Sequence, residues 1–297
     1  MSKKALVIDG NSLIYRAFYA TSNQLAFYKQ NNLQPVNALK LVLLITLKLL
    51  RENHYDYVLM ALDHQKKTLR HDTFAEYKAG RKPMPEDLVT QLPLIKDSME
   101  IIGVNTLSMP GIEADDIIGS FAKLMNEQQV DVEIYSSDKD LLQLVNEHTV
   151  VNLFKTGISD INKITIENFS SNFFGLHPSQ IIDFKGISGD SSDNLCGVKG
   201  IGPKTAADLI IKYGTLEKIY EAINELSESQ RVKFLESKES AHMCKKLSTI
   251  DLEVLPNKDL NIFLKHSINR QNLQDIINKY HFTGLDKYLI DIQESLF

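Results

Sequence analysis

The sequence predicts an α/β protein with a mostly parallel central sheet flanked by helices, followed by a helical region. Over the first 160 residues, short apolar runs alternate with longer segments of helical periodicity, as in βαβ units. Acidic residues directly follow three of those apolar runs. From about residue 164 the strand signals stop and helices with polar turns continue. We therefore expect an α/β domain over residues 1–160 and a helical domain over residues 161–297.

The individual elements follow from the spacing of apolar residues. Pro35 is suited to begin the second helix, and Glu86 and Asp87 fall in the first turn of the third, where the helix dipole favours acids. The predicted helices of the first domain span residues 12–20, 36–51 and 85–102. The predicted strands span residues 5–8, 57–62, 104–107, 130–135 and 150–153.

The composition indicates a protein of a reducing compartment that lies outside the membrane. With 297 residues, 43% of them hydrophobic, the chain is long enough to bury a large core. Cys196 and Cys244 are its only cysteines and form no metal-binding or disulfide pattern, so we expect them to be packed or idle. The most apolar stretch, residues 39–50, contains Lys40 and Lys48 and is too short to span a bilayer. We expect a cytoplasmic location, with no leader sequence.

Nine acidic residues in five clusters are the strongest functional signal. Ligands bind outside the carboxyl ends of the strands in open α/β sheets, and Asp9, Asp63 and Asp138 each stand where a predicted strand ends. Acids gathered at one point repel unless divalent cations hold them, and oxygen-only ligation suits Mg²⁺ or Mn²⁺. One such aspartate alone would be read as a solvated loop residue. The full set, which predicts a metal-dependent enzyme acting on phosphates, is Asp9, Asp63, Glu113, Asp115, Asp116, Asp138, Asp140, Asp190 and Asp193.

The spacing within the clusters gives further expectations. Asp190 and Asp193 share a face on a helical turn, and Asp138 and Asp140 share a face if the strand continues through both. A regular helix would turn Glu113 and Asp115 roughly 200° apart. We therefore expect at least one of those two to lie in the turn that precedes the helix.

A glycine-rich segment after the last acidic cluster predicts a nucleic-acid contact. Glycines 197, 200 and 202 allow another chain to approach the backbone closely, and Pro203 is suited to the first position of a helix whose N–H groups would face a phosphate. Lys199, Lys204 and Thr205 lie beside them. The pattern is typical of a helix-hairpin-helix element, at about residues 185–213, that binds the DNA backbone without reading sequence. An ordinary glycine-rich turn is the alternative, and a P-loop is excluded because the spacing is wrong and no strand precedes it.

The segment of residues 64–86 is basic and contains two aromatic residues. It follows Asp63 directly, which favours a positively charged arch over the metal site against a plain solvent-facing loop. In this interpretation Tyr77 stacks on a base, while Lys78 and Arg81 offset charge on a phosphate. Six bases face three acids in the segment, and the bases are Lys66, Lys67, Arg70, Lys78, Arg81 and Lys82.

The net charge of −5 does not exclude a polyanionic partner. Leaving the nine clustered acids out of the 38 acidic residues gives 29 acids against 33 bases, a balance of +4. If bound cations neutralise the cluster, the remaining surface attracts nucleic acid. Arg16, about two turns beyond Asp9, would then reach a phosphate at the metals or form a surface salt bridge.

In this order the motifs resemble those of the 5′-nuclease family, which comprises the 5′→3′ exonuclease domain of bacterial DNA polymerase I and the flap endonucleases. The resemblance covers roughly residues 4–220. Many relatives read phenylalanine-aspartate-alanine and threonine-phenylalanine-arginine where this chain has Leu62-Asp63-His64 and Thr68-Leu69-Arg70, and these differences leave the acids intact. The matching blocks are VIDGNSLIYRAF, LRHDTFAEYKAGRKPMPEDL, GIEADDIIGSFA, SSDKDLLQLV and GDSSDNLCGVKGIGPKTAADLI.

The resemblance implies a set of cofactors and site residues. The first of two Mg²⁺ ions, for which Mn²⁺ substitutes, would bind Asp9, Asp63, Glu113 and Asp115, with Asp116 nearby. The second would bind Asp138, Asp140, Asp190 and Asp193. Lys78 and Arg81 would be catalytic, and a K⁺ ion is implied at the hairpin. The implied DNA-binding residues are Arg16, Arg70, Tyr77, Lys199, Gly200, Gly202, Lys204 and Thr205.

The implied function is that of a structure-specific 5′→3′ exonuclease or flap endonuclease. It would hydrolyse DNA with a 5′ flap, nick or free 5′ end, and RNA-primed DNA, leaving a 5′-phosphate and a 3′-hydroxyl. We expect a free-standing monomer that acts in replication and repair, with a functional link to DNA polymerase and ligase. A PIN-like ribonuclease would share the acids but lack the hairpin, and a DNA-binding scaffold would lack the acids. A phosphatase of the HAD type would require an Asp-x-Asp pair that Asp9-Gly10-Asn11 does not supply.

Overall fold

A central sheet of six strands organises the computed structural model, which describes residues 2–64, 68–155 and 160–289. The strand order is β3-β2-β1-β4-β5-β6. All neighbouring strands pair in parallel except β5 and β6, which are antiparallel. The expected mostly parallel sheet is therefore confirmed. The strands are β1 (Lys4–Asp9), β2 (Tyr57–Ala61), β3 (Asn105–Leu107), β4 (Asp131–Ser136), β5 (Thr149–Phe154) and β6 (Ile161–Ile164).

The edge strand β6 was not predicted. Its four residues, Ile-Asn-Lys-Ile, show only one apolar alternation, which is too short a pattern to distinguish a strand from a loop. The central strands gave a clear signal because both faces of the sheet are covered, so β1 and β2 are almost entirely buried. Leu6 and Ile8 pack in the core on one face of the sheet, and Ala5 and Val7 pack in the core on the other.

The helices of the first half surround this sheet. The prediction of one helix over residues 85–102 was wrong, since two helices occupy it. Pro93 lies at the beginning of the second helix, and the buried Gln91 side chain between the two helices accepts hydrogen bonds from the N–H groups of Ala38 and Leu39 at 3.0 and 3.3 Å. The helices are α1 (Gly10–Ala20), α2 (Leu25–Gln30), α3 (Asn37–Glu52), α4 (Leu69–Thr73), α5 (Glu86–Val89), α6 (Leu92–Ile101) and α7 (Ala114–Glu127).

The chain is helical from α8 onward, as expected, although β6 lies inside the range predicted to be helical. Ile187, Ile210 and Phe234 are fully buried in a separate core that the middle helices share. The later part returns to the sheet, because Phe263 joins one sheet-facing core and Ile277 joins the other. The division at residue 160 stays a prediction. The helices are α8 (Ile166–Asn172), α9 (Ile181–Ser188), α10 (Pro203–Tyr213), α11 (Leu216–Glu221), α12 (Glu228–Glu236), α13 (Lys238–Ser248) and α14 (Arg270–Tyr280).

Among the described residues, no helix has both the length and the apolar character needed to cross a bilayer.

Candidate metal centre and nucleic-acid interface

A cleft of about 670 Å³ opens where the parallel strands end. Its lining combines side chains from both halves of the chain, because loops after β1, β2 and β4 meet the end of α9. The basic residues Lys78 and Arg81 of the predicted arch also line it. Six of the nine predicted acids face this cleft, namely Asp9, Asp63, Asp115, Asp138, Asp140 and Asp190.

Asp9 ends β1 and begins α1. One carboxylate oxygen accepts a hydrogen bond from the Ser12 N–H at 3.0 Å, and the other accepts one from the Ser136 hydroxyl at 2.5 Å. Gly10 permits this direct change from strand to helix, since a Cβ there would lie 2.8 Å from the carbonyl oxygen of Ala61. Burial raises the pKa of Asp9 to about 7, and the nearby acids Asp138 and Asp63 add to the effect.

Ser136 links the ends of two neighbouring strands. Its fully buried hydroxyl donates to Asp9 and accepts the N–H of Asp138 at 2.9 Å. Burial also raises the pKa of the Asp138 carboxyl, although the ammonium groups of Lys185 and Lys78 oppose the shift. One serine thus fixes the positions of the two acids.

Asp63 and Asp115 complete the first group of cleft acids. Asp63 accepts the N–H of Ala114, the first residue of α7, at 2.8 Å, and its own N–H donates to the Asn11 side chain at 2.8 Å. Burial is the main cause that raises the pKa of both carboxyls, and Asp138 and Asp9 raise that of Asp115 further. Four acids held together in this way are stabilised by a proton or by a cation, and their oxygen-only chemistry fits Mg²⁺ or Mn²⁺.

The second group of acids surrounds Lys185. Its ammonium donates to Asp140 and, at 2.6 Å, to Asp190. Burial opposes the shift, but Lys185 and Ser192 hold the pKa of Asp190 below its usual value. Asp140, Asp190 and Asp193 each place a carboxylate oxygen within 4.8 Å of the other two, a spacing that fits a divalent cation.

Glu113 and Asp193 lie beside the cleft and are paired with the arch. Glu113 is the N-cap residue of α7. It therefore lies in the turn before the helix, where we expected Glu113 or Asp115 to lie. Lys78 donates to Glu113 at 2.9 Å, and Arg81 donates to Asp193 at 2.6 Å. Although burial acts in the opposite direction, Lys78 and Arg70 hold the pKa of Glu113 below its usual value.

The prediction that Tyr77 stacks on a base is wrong for this arrangement. Its side chain is only 3% exposed, and its hydroxyl donates to Glu113 at 3.2 Å and to Asp193 at 3.0 Å. The ring packs edge-on against His71 at a centroid distance of 5.4 Å. Tyr77 therefore connects two acids of the site and presents no face to a nucleotide.

Arg70 and Asp116 form a buried pair behind the cleft. The guanidinium of Arg70 donates two hydrogen bonds to Asp116, at 2.6 and 2.7 Å, and further bonds to the carbonyls of Leu247 and Thr249. The predictions of a DNA contact for Arg70 and of a metal contact for Asp116 are corrected accordingly, because Arg70 is held by Asp116, Glu113 and two carbonyls, and Asp116 accepts from Arg70 and from the Asp251 N–H. The pair ties the arch to α7 and to the end of α13.

Arg16 lies on α1 but does not line the cleft. Its guanidinium donates to the Ser137 hydroxyl at 2.9 Å and to the carbonyls of Phe154 and Lys155 at 3.2 and 2.7 Å. It therefore positions the loop that carries Asp138. Its predicted phosphate contact stays a prediction.

The predicted hairpin joins α9 to α10. Gly200 adopts a left-handed backbone with φ of 78°, and a Cβ at Gly202 would meet no atom within 4 Å. The first N–H groups of α10 have no side-chain cap. Lys199 and Lys204 are exposed beside them. This backbone is open to approach by another chain.

Several residues that build the site were not named by the sequence analysis, among them Asn11, Tyr15 and Lys185, which line the cleft, and the buried Ser136 behind it. A signal existed for Ser136, a polar residue that ends an apolar strand run. Lys185 is five residues before Asp190, but its pairing with Asp140 depends on the packing of the two halves. Tyr15 lines the cleft, and its ring stacks on Tyr19 at 6.4 Å.

Comparison with known proteins gives family matches over most of the chain. Residues 4–173 match the model of the 5′-3′ exonuclease N-terminal resolvase-like domain, and residues 176–271 match that of the 5′-3′ exonuclease C-terminal SAM fold. The chain is 39% identical to the 5′-3′ exonuclease of Mycoplasma pneumoniae over 283 residues, which covers 95% of this chain and 97% of that protein. It is 40% identical to DNA polymerase I of Bacillus subtilis over 284 residues, 95% of this chain but 32% of the polymerase.

Solved structures share the fold at lower identity. T5 5′-exonuclease with bound zinc superposes with a TM-score of 0.68 at 20% identity and covers 98% of this chain and 99% of that one. The catalytic core of Rad2 in complex with DNA substrate gives a TM-score of 0.64 at 15% identity, covering 98% and 92%. These similarities establish the architecture of the chain.

Proposed function

Because the chain belongs to the 5′-3′ exonuclease family, we propose that its cleft binds two divalent metal ions and hydrolyses the phosphodiester backbone of DNA at 5′ ends and flaps. The chain is thus a nuclease of the 5′-3′ exonuclease and flap endonuclease type. The observation that carries the mechanism is the cleft itself, in which six acids from distant parts of the chain meet.

The two groups of acids define the two proposed ion sites. Asp9, Asp63, Asp115 and Asp138 would hold one ion, and Asp140, Asp190 and Asp193 the other. When bound, divalent ions supply a hydroxide near neutral pH and offset the charge of the reacting phosphate. Mg²⁺, with Mn²⁺ as substitute, is proposed because the donor set contains only oxygen. Glu113 acts through Lys78 in this proposal, and Asp116 supports Arg70.

Three basic side chains with carboxylate partners lie around the position that we propose for the reacting phosphate. Lys78 and Arg81 enter the cleft from the arch, and Lys185 enters from α9. The carboxylates that pair with these three basic side chains hold them in position before a substrate binds. Groups positioned in advance favour charge stabilisation in the transition state. Lys66 and Lys67 of the predicted arch lie outside the described residues.

The duplex portion of the substrate is proposed to bind at the hairpin. The exposed residues Lys199, Gly200, Gly202 and Lys204, with Thr205, surround the uncapped start of α10, where N–H groups and positive charge favour a phosphate. The space beside Gly202 allows the DNA backbone to approach closely. Such contacts position the duplex without reading its sequence.

Tyr15 replaces Tyr77 as the proposed base contact. Its ring lines the cleft and stacks on Tyr19, whose side chain is largely exposed, with 19° between the ring planes. A pair of aromatic rings beside a phosphate site is a platform on which a terminal base stacks, whatever its identity.

The proposed substrates are DNA with a free 5′ end, a nick or a 5′ flap, and RNA-primed DNA. The matched relatives include DNA polymerase I, of which the chain spans about a third, and this supports a role beside a polymerase and a ligase in replication and repair. We further propose a monomer in the cytoplasm. These assignments follow from the family and from the cleft chemistry.

The test is cleavage of 5′-labelled flap, nicked and gapped DNA duplexes, and of an RNA flap, with Mg²⁺, with Mn²⁺ and with EDTA. We expect cleavage of the DNA substrates with either metal and none with EDTA, with 3′-hydroxyl and 5′-phosphate ends. The matched control is Asp97→Ala, which removes an exposed acid of α6 and should leave cleavage unchanged. Activity that survives EDTA would contradict the metal site, and cleavage restricted to RNA would favour a ribonuclease.

A further inference from the structure

The two groups of acids in the cleft differ in the partners that the chain gives them. The carboxylates of Asp9, Asp63 and Asp138 accept hydrogen bonds from neutral groups, namely backbone N–H groups and the Ser136 hydroxyl. Among the described residues, no ion pair joins these three carboxylates, or that of Asp115, to a lysine or an arginine. The first group of acids therefore meets no cation of the described chain.

The second group of acids already contains a cation. The Lys185 ammonium donates to Oδ1 of Asp140 and, at 2.6 Å, to Oδ2 of Asp190. The other oxygen of Asp190 accepts the N–H and the hydroxyl of Ser192 at 2.9 and 2.6 Å. The exposed fraction of the side chain is 12% for Lys185, 15% for Asp140 and 11% for Asp190. Salt and water screen such partly buried charges weakly, so the ammonium is firmly held.

A second basic residue meets this group from the arch. Asp193 accepts from Arg81 on one oxygen, at 2.6 Å, and from the Tyr77 hydroxyl on the other. Among the described acids, Arg81 pairs with this one alone, and its side chain is 48% exposed. Lys185 instead bridges two acids of a trio in which each places one carboxylate oxygen within 4.8 Å of the others. The ammonium and a metal ion shared by the trio therefore compete for the same carboxylates.

We propose that Lys185 is an internal competitor of the second metal ion, which binds only when the ammonium leaves Asp140 and Asp190. The inference rests on the proposed function, because it concerns the ion that is assigned there to these two acids and Asp193. Two cations on the same carboxylates repel each other, so the second ion must offset the lost lysine pairing as well as its own dehydration. The first ion meets no such cation among the described residues. The protein should therefore bind one divalent ion tightly and the other much more weakly.

The experiment measures Mn²⁺ binding to the protein without DNA, from the electron paramagnetic resonance signal of free Mn²⁺. We expect the parent to bind two ions, with dissociation constants that differ by at least about tenfold. Lys185→Met keeps most of the aliphatic stem and removes the charge. It should tighten the weaker ion by at least about tenfold and leave the tighter ion within about threefold of the parent. Lys185→Arg keeps the charge and should bind the weaker ion as the parent does.

The matched control is Lys139→Met, which removes an exposed lysine that lines the same cleft and changes the net charge by the same amount. It should alter neither dissociation constant by more than about threefold, because an exposed charge is screened. Asp190→Asn removes a proposed ligand of the second ion and should abolish the weaker ion alone, which assigns that ion to the second group.

Thermal unfolding in EDTA establishes that each variant is folded. Lys185→Gln, whose neutral amide still donates hydrogen bonds to the two carboxylates, takes the place of Lys185→Met if the latter is unfolded. The inference is overturned if the parent binds both ions equally well, if the weaker ion survives Asp190→Asn, if removing the Lys185 charge leaves that ion unchanged, or if Lys139→Met tightens it as much. Failure of the parent to bind any Mn²⁺ would instead contradict the proposed function.

Discussion

Asp115 and Asp116 are neighbours in the first turn of α7, yet their surroundings are opposite. Asp115 faces the cleft, where burial and the acids Asp138 and Asp9 raise its pKa well above the usual value. Asp116 faces away from the cleft and receives two hydrogen bonds from Arg70. In the proposed function the first carboxylate is neutralised by a bound metal ion, whereas the second is paired with Arg70 of the chain itself.

The same contrast divides other acids of the cluster into two groups. Asp9, Asp63 and Asp138 resemble Asp115, since burial raises the pKa of each. Glu113 resembles Asp116, because basic partners hold its pKa below the usual value. Residue type and spacing along the sequence do not separate these acids, so the partner of each carboxylate has to be read from the structure.

The largest expected effect comes from removing one charge from each group. Asp63→Asn should reduce the single-turnover cleavage rate by at least about 10³-fold, because it removes a proposed ligand, while DNA binding stays measurable. Asp116→Asn should lower the free energy of unfolding by about 1–3 kcal/mol, because it replaces the charged partner of the mostly buried Arg70, which keeps Glu113 and two carbonyls. Urea unfolding in EDTA and single-turnover kinetics measure both variants. A stable but inactive Asp116→Asn protein would reverse the two roles.

Lys78 connects the two groups, since it pairs with Glu113 and also lines the cleft. Its backbone is left-handed, with φ of 56°, which asparagine adopts more readily than alanine. Lys78→Asn should therefore fold and should lower the single-turnover rate by about 10²-fold, with a much smaller loss of DNA affinity.

The control for Lys78 is Lys139→Asn, which removes an exposed lysine that also lines the cleft. It should leave the single-turnover rate within a few-fold of the parent. Equal losses in the two variants would mean that only the total charge of the cleft matters.

Acids with raised pKa values and acids with lowered pKa values should affect the pH dependence of stability in opposite directions. The pKa of Asp9 is about 7 in the folded protein, above its value in the unfolded chain, so the folded state binds more protons between pH 4 and 7. In EDTA the Tm should therefore be higher at pH 5.5 than at pH 7.5, by a few degrees. Glu113 and Asp190, whose pKa values are lowered, destabilise the fold only as pH falls through about 4 and below.

Asp9→Asn tests this assignment, because it removes the titrating group and should reduce the difference in Tm between the two pH values. Saturating Mn²⁺ should reduce it as well, since the ion then stabilises the ionised carboxylates. A Tm that rises with pH in EDTA would show that the paired acids dominate.

Much of the site was predictable because strand ends are visible in the sequence. Asp9, Asp63 and Asp138 follow apolar runs, and parallel strands bring such residues to one edge. The same pattern does not predict which basic residue pairs with each acid. Arg70 reaches Asp116 from 46 residues away, and Lys185 reaches Asp140 from 45 residues away. Both pairings form only in the folded chain, and the second also requires the helical half to pack on the sheet.

Aromatic residues show this limit of the sequence most clearly. Tyr77 lies in a basic segment, as a base-stacking residue would, but its hydroxyl lies between the carboxylates of Glu113 and Asp193. Tyr15 lies within an apolar helix, as a core residue would, but it lines the cleft. The burial of Tyr77, which the local sequence did not reveal, is the reason for proposing Tyr15 as the base contact in its place.

The smallest expected effects test that exchange. Tyr77→Phe removes the single hydroxyl proton that lies between two buried carboxylates. It should therefore lower the free energy of unfolding by about 1–3 kcal/mol and raise the Mn²⁺ concentration needed for half-maximal cleavage, with DNA affinity unchanged. Tyr15→Leu should do the reverse and weaken binding of a nicked duplex several-fold, because it removes a stacking surface worth about 1–3 kcal/mol and leaves the acids in place. Anisotropy titrations and Mn²⁺ titrations of the same two proteins separate a residue that positions ligands from one that contacts DNA. A loss of DNA affinity in Tyr77→Phe with none in Tyr15→Leu would return the base contact to the arch.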